Sequence, residues 1–449
     1  MAGPSDKARF YLENSIDELN ELERKKIFTR EEIMSIARKR SDFEHTINAR
    51  GSHPSDYIRY IDYEKNLDAL RRKRIKRLGI MSTGSSQRTI FFLFNRATRK
   101  FSGDLGLWMQ YIEFAKKEKS YKKLNDIFTS VVRLHPAKPE MWIYAAQYFI
   151  ETQADITNAR SYMQRGLRFC KNSEALWLEY AKLETLYIAK IAGRRKILGL
   201  DAERTQKAMA DDPNADMIAL PDITIEDVNP SLGKEEGVDE VALQNLAFAP
   251  VLTGAIPMAI FDSAMKQFQG DPALGGNFFD MFAEFSQLPC LTRLLQHVLD
   301  YLRENAPRSV HTVICEVRMQ LLGTRPTFSE FPASLRDALD ILNAAIKANP
   351  EMAAPLSSFA IRQILPLLAV CDEEMVDPIL EKVLVSSLRK YSRQLEEANP
   401  GLEGDAIAGL VEFLQRERKS ADAGRLMRLS MKQWGENVRL QQFRRSLEA

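Results

Sequence analysis

A chain of 449 residues, 45% hydrophobic and 28% charged, has the composition of a folded soluble protein and the length of roughly three domains or one long repeat array. Its four cysteines (Cys170, Cys290, Cys315, Cys371) lie far apart without a CxxC, and its five histidines have no HExxH spacing, so no disulfide framework, metal site or cofactor is expected. Purely apolar stretches such as Ile90–Phe94 and Leu367–Val370 are too short to cross a bilayer, and the opening MAGPSDKARF lacks the apolar core of a secretory leader.

The net charge of +2 conceals an asymmetry. Residues 1–200 hold 38 Lys/Arg against 24 Asp/Glu, residues 201–250 hold 3 against 12, and residues 251–449 hold 22 against 25. A basic first part, an acidic middle and a near-neutral remainder point to different partners for different segments.

Apolar residues recur at three- and four-residue spacing, so the chain reads as helical nearly throughout. Two amphipathic helices are expected over residues 6–49. The first carries Leu12, Ile16 and Leu19. The second starts at Thr29-Arg30-Glu31-Glu32, a capping box with Phe28 and Ile33 at the staple positions, and carries Ile33, Ile36, Phe43 and Ile47. These stripes make residues 1–50 either a cap or a partner-docking element. A third helix is expected from about Pro54 to Leu78, ending in Arg71, Arg72, Lys73, Arg74, Ile75, Lys76 and Arg77. Those cations sit where the helix dipole is negative, with Gly79 as the left-handed cap. They also offer a nuclear-targeting or RNA phosphate-binding patch. Lys116, Lys117, Lys119, Lys122 and Lys123 form a second basic cluster at a turn. Ser82–Ser86 reads as a loop.

An internal repeat follows. Trp108, Trp142 and Trp177 are spaced by 34 and 35 residues, and Arg96, Ser130 and Arg165 by the same intervals. Each Trp opens a helix on which Trp177, Tyr180 and Glu184, or Trp108, Tyr111 and Ala115, or Trp142, Ala145 and Phe149 share a face. Tyr57, Tyr60 and Glu64 match them one repeat earlier. A helix pair of this length must stack on neighbours to bury its faces, so residues 51–200 read as a solenoid. The rings are expected in the core rather than as nucleic-acid stacking platforms. Glu184 and Arg165, polar at recurring positions, are expected to join helices by a charge-assisted bond.

Residues 201–250, acidic and proline-bearing, read as a linker or insert. From 251 to 449 helices resume as a divergent array of four to five pairs. Gly275-Gly276 reads as a turn. No Walker-type loop, GxGxxG or GxSxG is present, and no constellation for catalysis stands out.

The Trp-x-x-Tyr-x-x-x-Glu helix of Trp177–Glu184, with Ala159–Leu167 as the second helix of a pair, resembles the half-a-TPR (HAT) repeat. The segments LENSIDELNELERKKIFTREEIMSIARKRSDFEHTI and DYIRYIDYEKNLDALRRKRIKRLGI resemble the sixth family of U-three-associated proteins, the HAT subunits of the UTP-B assembly in the small-subunit processome. The resemblance implies an all-α, right-handed α-solenoid of HAT (TPR-like) helix pairs with an N-terminal helical segment. It implies a non-enzymatic scaffold of the nucleus and nucleolus, bound to WD-repeat subunits, the U-three small nucleolar ribonucleoprotein and pre-rRNA, with no membrane partner or small-molecule substrate. Two other readings stand beside it, a HAT scaffold of splicing or mRNA 3′-end formation and a TPR-like adaptor for peptides.

Overall fold

The computed structural model describes residues 4–13, 15–79, 85–197, 250–373, 378–399, 401 and 403–448, and the acidic segment expected at 201–250 lies almost wholly outside them. All regular structure among the described residues is helical. The chain separates into two compact units, Met1–Phe149 with Gln164–Cys170, and Ile150–Met163 with Lys171–Ala449.

The first unit opens with α1 (Pro4–Glu13), α2 (Ile16–Arg24), α3 (Arg30–Asn48) and α4 (Pro54–Leu78). The start of α3 is the capping box expected from its sequence. Thr29 Oγ1 accepts from the Glu32 amide at 3.3 Å, and Glu32 Oε2 accepts from the Thr29 amide at 2.9 Å. Helix α4 begins with Pro54 at its first turn, ends at Gly79 in the left-handed region (φ 67°), and its cap amide returns to the Ile75 carbonyl. Then come α5 (Ser85–Lys100), α6 (Leu105–Lys117), α7 (Tyr121–Leu134) and most of α8 (Pro139–Thr152). Ser85 and Ser86, expected in a loop, form the first turn of α5, and the rest of that loop, residues 82–84, lies outside the described residues. Neighbours in sequence pack together, α3 on α4, α4 on α5, α5 on α6 and α6 on α7.

The second unit takes in the first turns of α9 (Ile156–Phe169) and all of α10 (Glu174–Ile197). Among the described residues after 250 ten α-helices follow: α11 (Ala255–Gln267), α12 (Pro272–Ala283), α13 (Leu291–Asn305), α14 (Val310–Gln320), α15 (Phe331–Ala348), α16 (Ala353–Glu373), α17 (Pro378–Glu397), α18 (Asp405–Arg416), α19 (Ser420–Ser430) and α20 (Val438–Glu448). Helix α11 packs on α10, so the acidic segment interrupts the chain between two helices that touch.

Two expectations for this unit need correction. Gly275 and Gly276 are buried inside α12, not in a turn. A Cβ on Gly275 would stand 2.7 Å from Leu302 Cδ2 of α13, so the missing side chain lets α13 come close. The stretch Pro350–Val370 is also long and apolar enough to pass as a membrane span, though no purely apolar run of the sequence suggested one. Its place explains its composition. Leu356, Phe359, Ala360, Ile361, Ile364, Leu365 and Leu368 of α16 are buried in one cluster with Leu384 and Leu388 of α17 and Leu426 of α19, as a core helix requires.

Candidate functional site

The recurring tryptophans share one geometry. Each indole N–H donates at 3.0 Å to the carbonyl six residues earlier, Trp108 to Ser102, Trp142 to Pro136 and Trp177 to Lys171. The bond closes the turn before each first helix while the ring body turns inward. Two of these carbonyls are gripped again by the residue just past the second helix of the pair, His135 after α7 and Cys170 after α9. His135 Nε2 lies 2.7 Å from the Ser102 oxygen, and Cys170 Sγ donates to the Pro136 oxygen at 3.2 Å.

Aromatic residues also meet at a fixed offset. Phe43 stacks on Tyr60 at 5.0 Å and 7°, and Phe94 stacks on Tyr111 at 5.0 Å and 8°. Both pairs join a second helix to the next first helix. Tyr57, Tyr60, Trp108, Tyr111, Trp142 and Tyr180 are buried, whereas Trp177 is half-buried. Burial pushes the Tyr111 hydroxyl up to about 12. These rings carry packing, not an open stacking platform.

Glu184 has a different partner from the one its sequence period suggested. Arg160 Nε and Nη2 donate to Glu184 Oε1 and Oε2, both at 2.6 Å, while Arg165 is exposed. Arg165 sits five positions beyond Arg160, which on a helix of 3.6 residues per turn is the opposite side. In the first unit Arg40 makes the same fork to Glu64 at 2.8 and 2.9 Å, and both forks span 24 residues. Burial works against the charge on Arg40, but Glu64 and then Glu18 outweigh it and raise its pKa. Arg96 does not meet a repeat glutamate on a first helix. It forks onto Glu44 of α3 at 2.8 and 3.0 Å, with the Tyr11 ring 3.9 Å from its guanidinium.

The basic end of α4 is partly consumed within the unit. Arg71 and Arg72 pair with Asp68 at 3.2 and 2.7 Å, and Arg72 also meets Glu118, just past α6, at 2.9 Å. Arg74 forks onto Glu32 with two bonds of 2.7 Å, donates to the Ile27 carbonyl and lies over the Phe28 ring. That fork, followed by the Thr29 amide, lowers Glu32 to about 2. Lys73, Lys76 and Arg77 remain exposed. Burying or pairing Arg71, Arg72 and Arg74 leaves three of the six cations at the surface.

Leu12, Ile16 and Leu19, expected on one helix, fall on two, Leu12 on α1 and the others on α2. Leu19, Ile33 and Ile36 are buried with Leu22, Ile27, Phe28 and Ile75. Ile75 near the far end of α4 packs in the same cluster and covers these three. Leu12 and Phe43 are half-buried, and Ile16 is exposed.

Cys170, Cys290 and Cys315 are free thiols, with burial pushing Cys315 up to about 12. Among the described residues no group of His, Cys, Asp and Glu is placed to hold a metal ion.

Residues 12–99 match the family model described as U3 small nucleolar RNA-associated protein 6. The Schizosaccharomyces pombe protein of that name is 34% identical over 236 residues, which is 50% of this chain and 48% of the relative. The Homo sapiens homolog is 32% identical over 210 residues, 46% of this chain and 34% of the relative. The Dictyostelium discoideum homolog is 28% identical over 264 residues, 58% and 42%. The chain spans about half the length of these relatives, or less. Among solved structures, the human IFIT1 dimer with m7Gppp-AAAA aligns over 94% of this chain and 86% of that one, at 11% identity and a TM-score of 0.24, too loose to speak to fold or function. Family model and curated relatives agree with each other: the chain is similar to the proteins described as U3 small nucleolar RNA-associated protein 6, with the family model matching residues 12–99.

Proposed function

We propose that the chain is a non-catalytic scaffold in ribosome biogenesis, associated with U3 small nucleolar RNA and acting in maturation of the small-subunit rRNA. The observation that carries this reading is the family match over residues 12–99, supported by relatives of the same description in a fungus, an amoeba and mammals. In its finer form, the helix pairs are HAT repeats of a right-handed solenoid, and the chain is a UTP-B subunit of the small-subunit processome. It works in the nucleolus beside WD-repeat subunits, the U3 ribonucleoprotein and pre-rRNA.

The side chains support a binding role over a chemical one. The recurring Trp, Tyr, Arg and Glu residues are used to set helix against helix, and such pairs present a long surface to several partners at once. Depletion of the protein followed by probing of rRNA precursors tests the reading. It predicts that unprocessed small-subunit precursor accumulates while large-subunit precursors mature. Retention of introns or uncleaved mRNA 3′ ends, with rRNA unaffected, would favour the splicing or 3′-end reading instead.

A further inference from the structure

Helices α5 and α7 flank a groove of about 410 Å3 whose floor is made by Trp108 and Tyr111 of α6. Three cations face it, Arg88 and Arg99 from α5 and Lys123 from α7, against one carboxylate, Asp126. Arg71, Arg72 and Arg74 of α4 have their carboxylates, but Arg88, Arg99 and Lys123 of the groove have no ion-pair partner among the described residues.

The positive charge is concentrated and held in place. Lys123 Nζ stands 3.7 Å over the Phe91 ring, which fixes the ammonium within the groove. Burial and the charge of Arg88 together lower the Lys123 pKa, so the two cations crowd each other at one end. The first turn of α7 adds Lys122 and contains no acid, although the helix dipole already makes that end positive. Arg99 lies farther along α5, about 16 Å from Arg88 at 1.5 Å per residue, and acts on the Tyr111 hydroxyl together with Asp126. Charge of this kind is relieved by a polyanion longer than one phosphate.

An aromatic ring distinguishes between polyanions. Phe92 is 44% exposed at the rim of the groove. The Tyr11 ring is tilted against it at 5.5 Å and the Arg96 guanidinium stands 5.4 Å from its centroid, so only its solvent-exposed part is open. An acidic peptide needs only the cations, whereas a single strand of nucleic acid also offers bases that stack on the exposed part of the ring. From this juxtaposition we infer that the α5–α7 groove binds single-stranded RNA, with Arg88 and Lys123 taking phosphates at one end, Arg99 at the other, and Phe92 stacking a base. The choice of RNA over DNA rests on the ribosome-biogenesis reading, but the charge and the ring do not.

The test is fluorescence anisotropy at low salt with the full chain and labelled oligouridylate, oligodeoxythymidylate and oligoglutamate, each about twelve units long. Circular dichroism melts check that every variant is folded. The double variant Arg88→Glu/Lys123→Glu is expected to bind oligouridylate about ten-fold more weakly. The charge-matched Arg336→Glu/Lys347→Glu, on exposed positions of α15, should change it less than two-fold. Phe92→Ala should weaken oligouridylate binding and spare any weak binding of oligoglutamate. Undiminished oligouridylate binding by the folded groove variant overturns the proposal, as does a wild-type chain that binds no oligouridylate. Tighter binding of oligoglutamate, lost in the groove variant, would make the groove a docking site for acidic polypeptide and also overturn it. Tighter binding of oligodeoxythymidylate with the same loss would overturn the choice of RNA alone. The biogenesis reading is scored separately by rRNA precursors, so the two can fail independently.

Discussion

Arg160 reaches Glu184 with two charge-assisted hydrogen bonds of 2.6 Å, and the glutamate side chain is almost wholly buried while the arginine keeps part of its surface in solvent. Such a pair is worth less for its net attraction than for what its loss would leave behind. A carboxylate stripped of its partner in the interior is strongly destabilising.

Arg160→Ala is therefore expected to cost about 3 kcal/mol by that argument, read as a shift in the urea midpoint. Arg165→Ala, on the exposed side of the same helix, should stay within about 0.5 kcal/mol. A double replacement by leucine, Arg160→Leu/Glu184→Leu, should recover much of the loss, since apolar isosteres tolerate such sites. Equal effects for Arg160→Ala and Arg165→Ala would contradict the observed pairing.

The three tryptophans should not respond equally. Trp142 is buried and stacks on Phe169 at 5.9 Å and 12°, so Trp142→Ala is expected to cost about 3–5 kcal/mol. Trp177 keeps its bond to Lys171 but is only half-buried, and its alanine variant should lose less than half as much. Denaturant melts of the two variants give the comparison.

Acid should loosen the N-terminal helices through Glu32. Its carboxylate is held down to about 2 by Arg74 and then by the Thr29 amide, against an ordinary value of 4.5. A depressed carboxylate supplies stability that is complete above its unfolded pKa and is lost as pH falls toward the folded value. The window is therefore from about pH 4.5 down to about pH 2. Glu32→Gln should be less stable than the parent at neutral pH, and the difference should shrink across that window. A difference independent of pH would contradict the Glu32–Arg74 fork.

Gly275 is the close-approach position of the second unit. Gly275→Ala sets a methyl carbon against Leu302 Cδ2 and should cost about 1–3 kcal/mol by overpacking, measured by thermal melt. The companion change Leu302→Ala should relieve the clash, so the double variant should lose less than the two single losses added together.

How much of this was legible in the sequence depends on the residue. The capping box at Thr29, the left-handed Gly79 and the Trp period are local or strictly repeated, and each appears as expected. The arginine–glutamate forks were misread because their column is interrupted. The 24-residue offset that joins Arg40 to Glu64 and Arg160 to Glu184 meets Phe91 with Ala115, and then Asn125 with Phe149. Only the outer pairs keep the charges, while the more continuous Arg96, Ser130 and Arg165 column lies on other faces. In the basic run at the end of α4 only the Asp68 pairs are local; the other carboxylates come from afar, Glu32 from 42 residues earlier and Glu118 from 46 residues later. Gly275 looked like a turn because a paired glycine carries no sign of the helix that packs against it.

Affinity purification of the tagged full chain from growing cells, followed by sequencing of the RNA that comes with it, tests the central claim most directly. Membership in a U3-associated assembly predicts strong enrichment of U3 small nucleolar RNA with precursor of the small-subunit rRNA, and little spliceosomal RNA. Enrichment of spliceosomal RNA without U3, or recovery of no RNA above an untagged control, would contradict it.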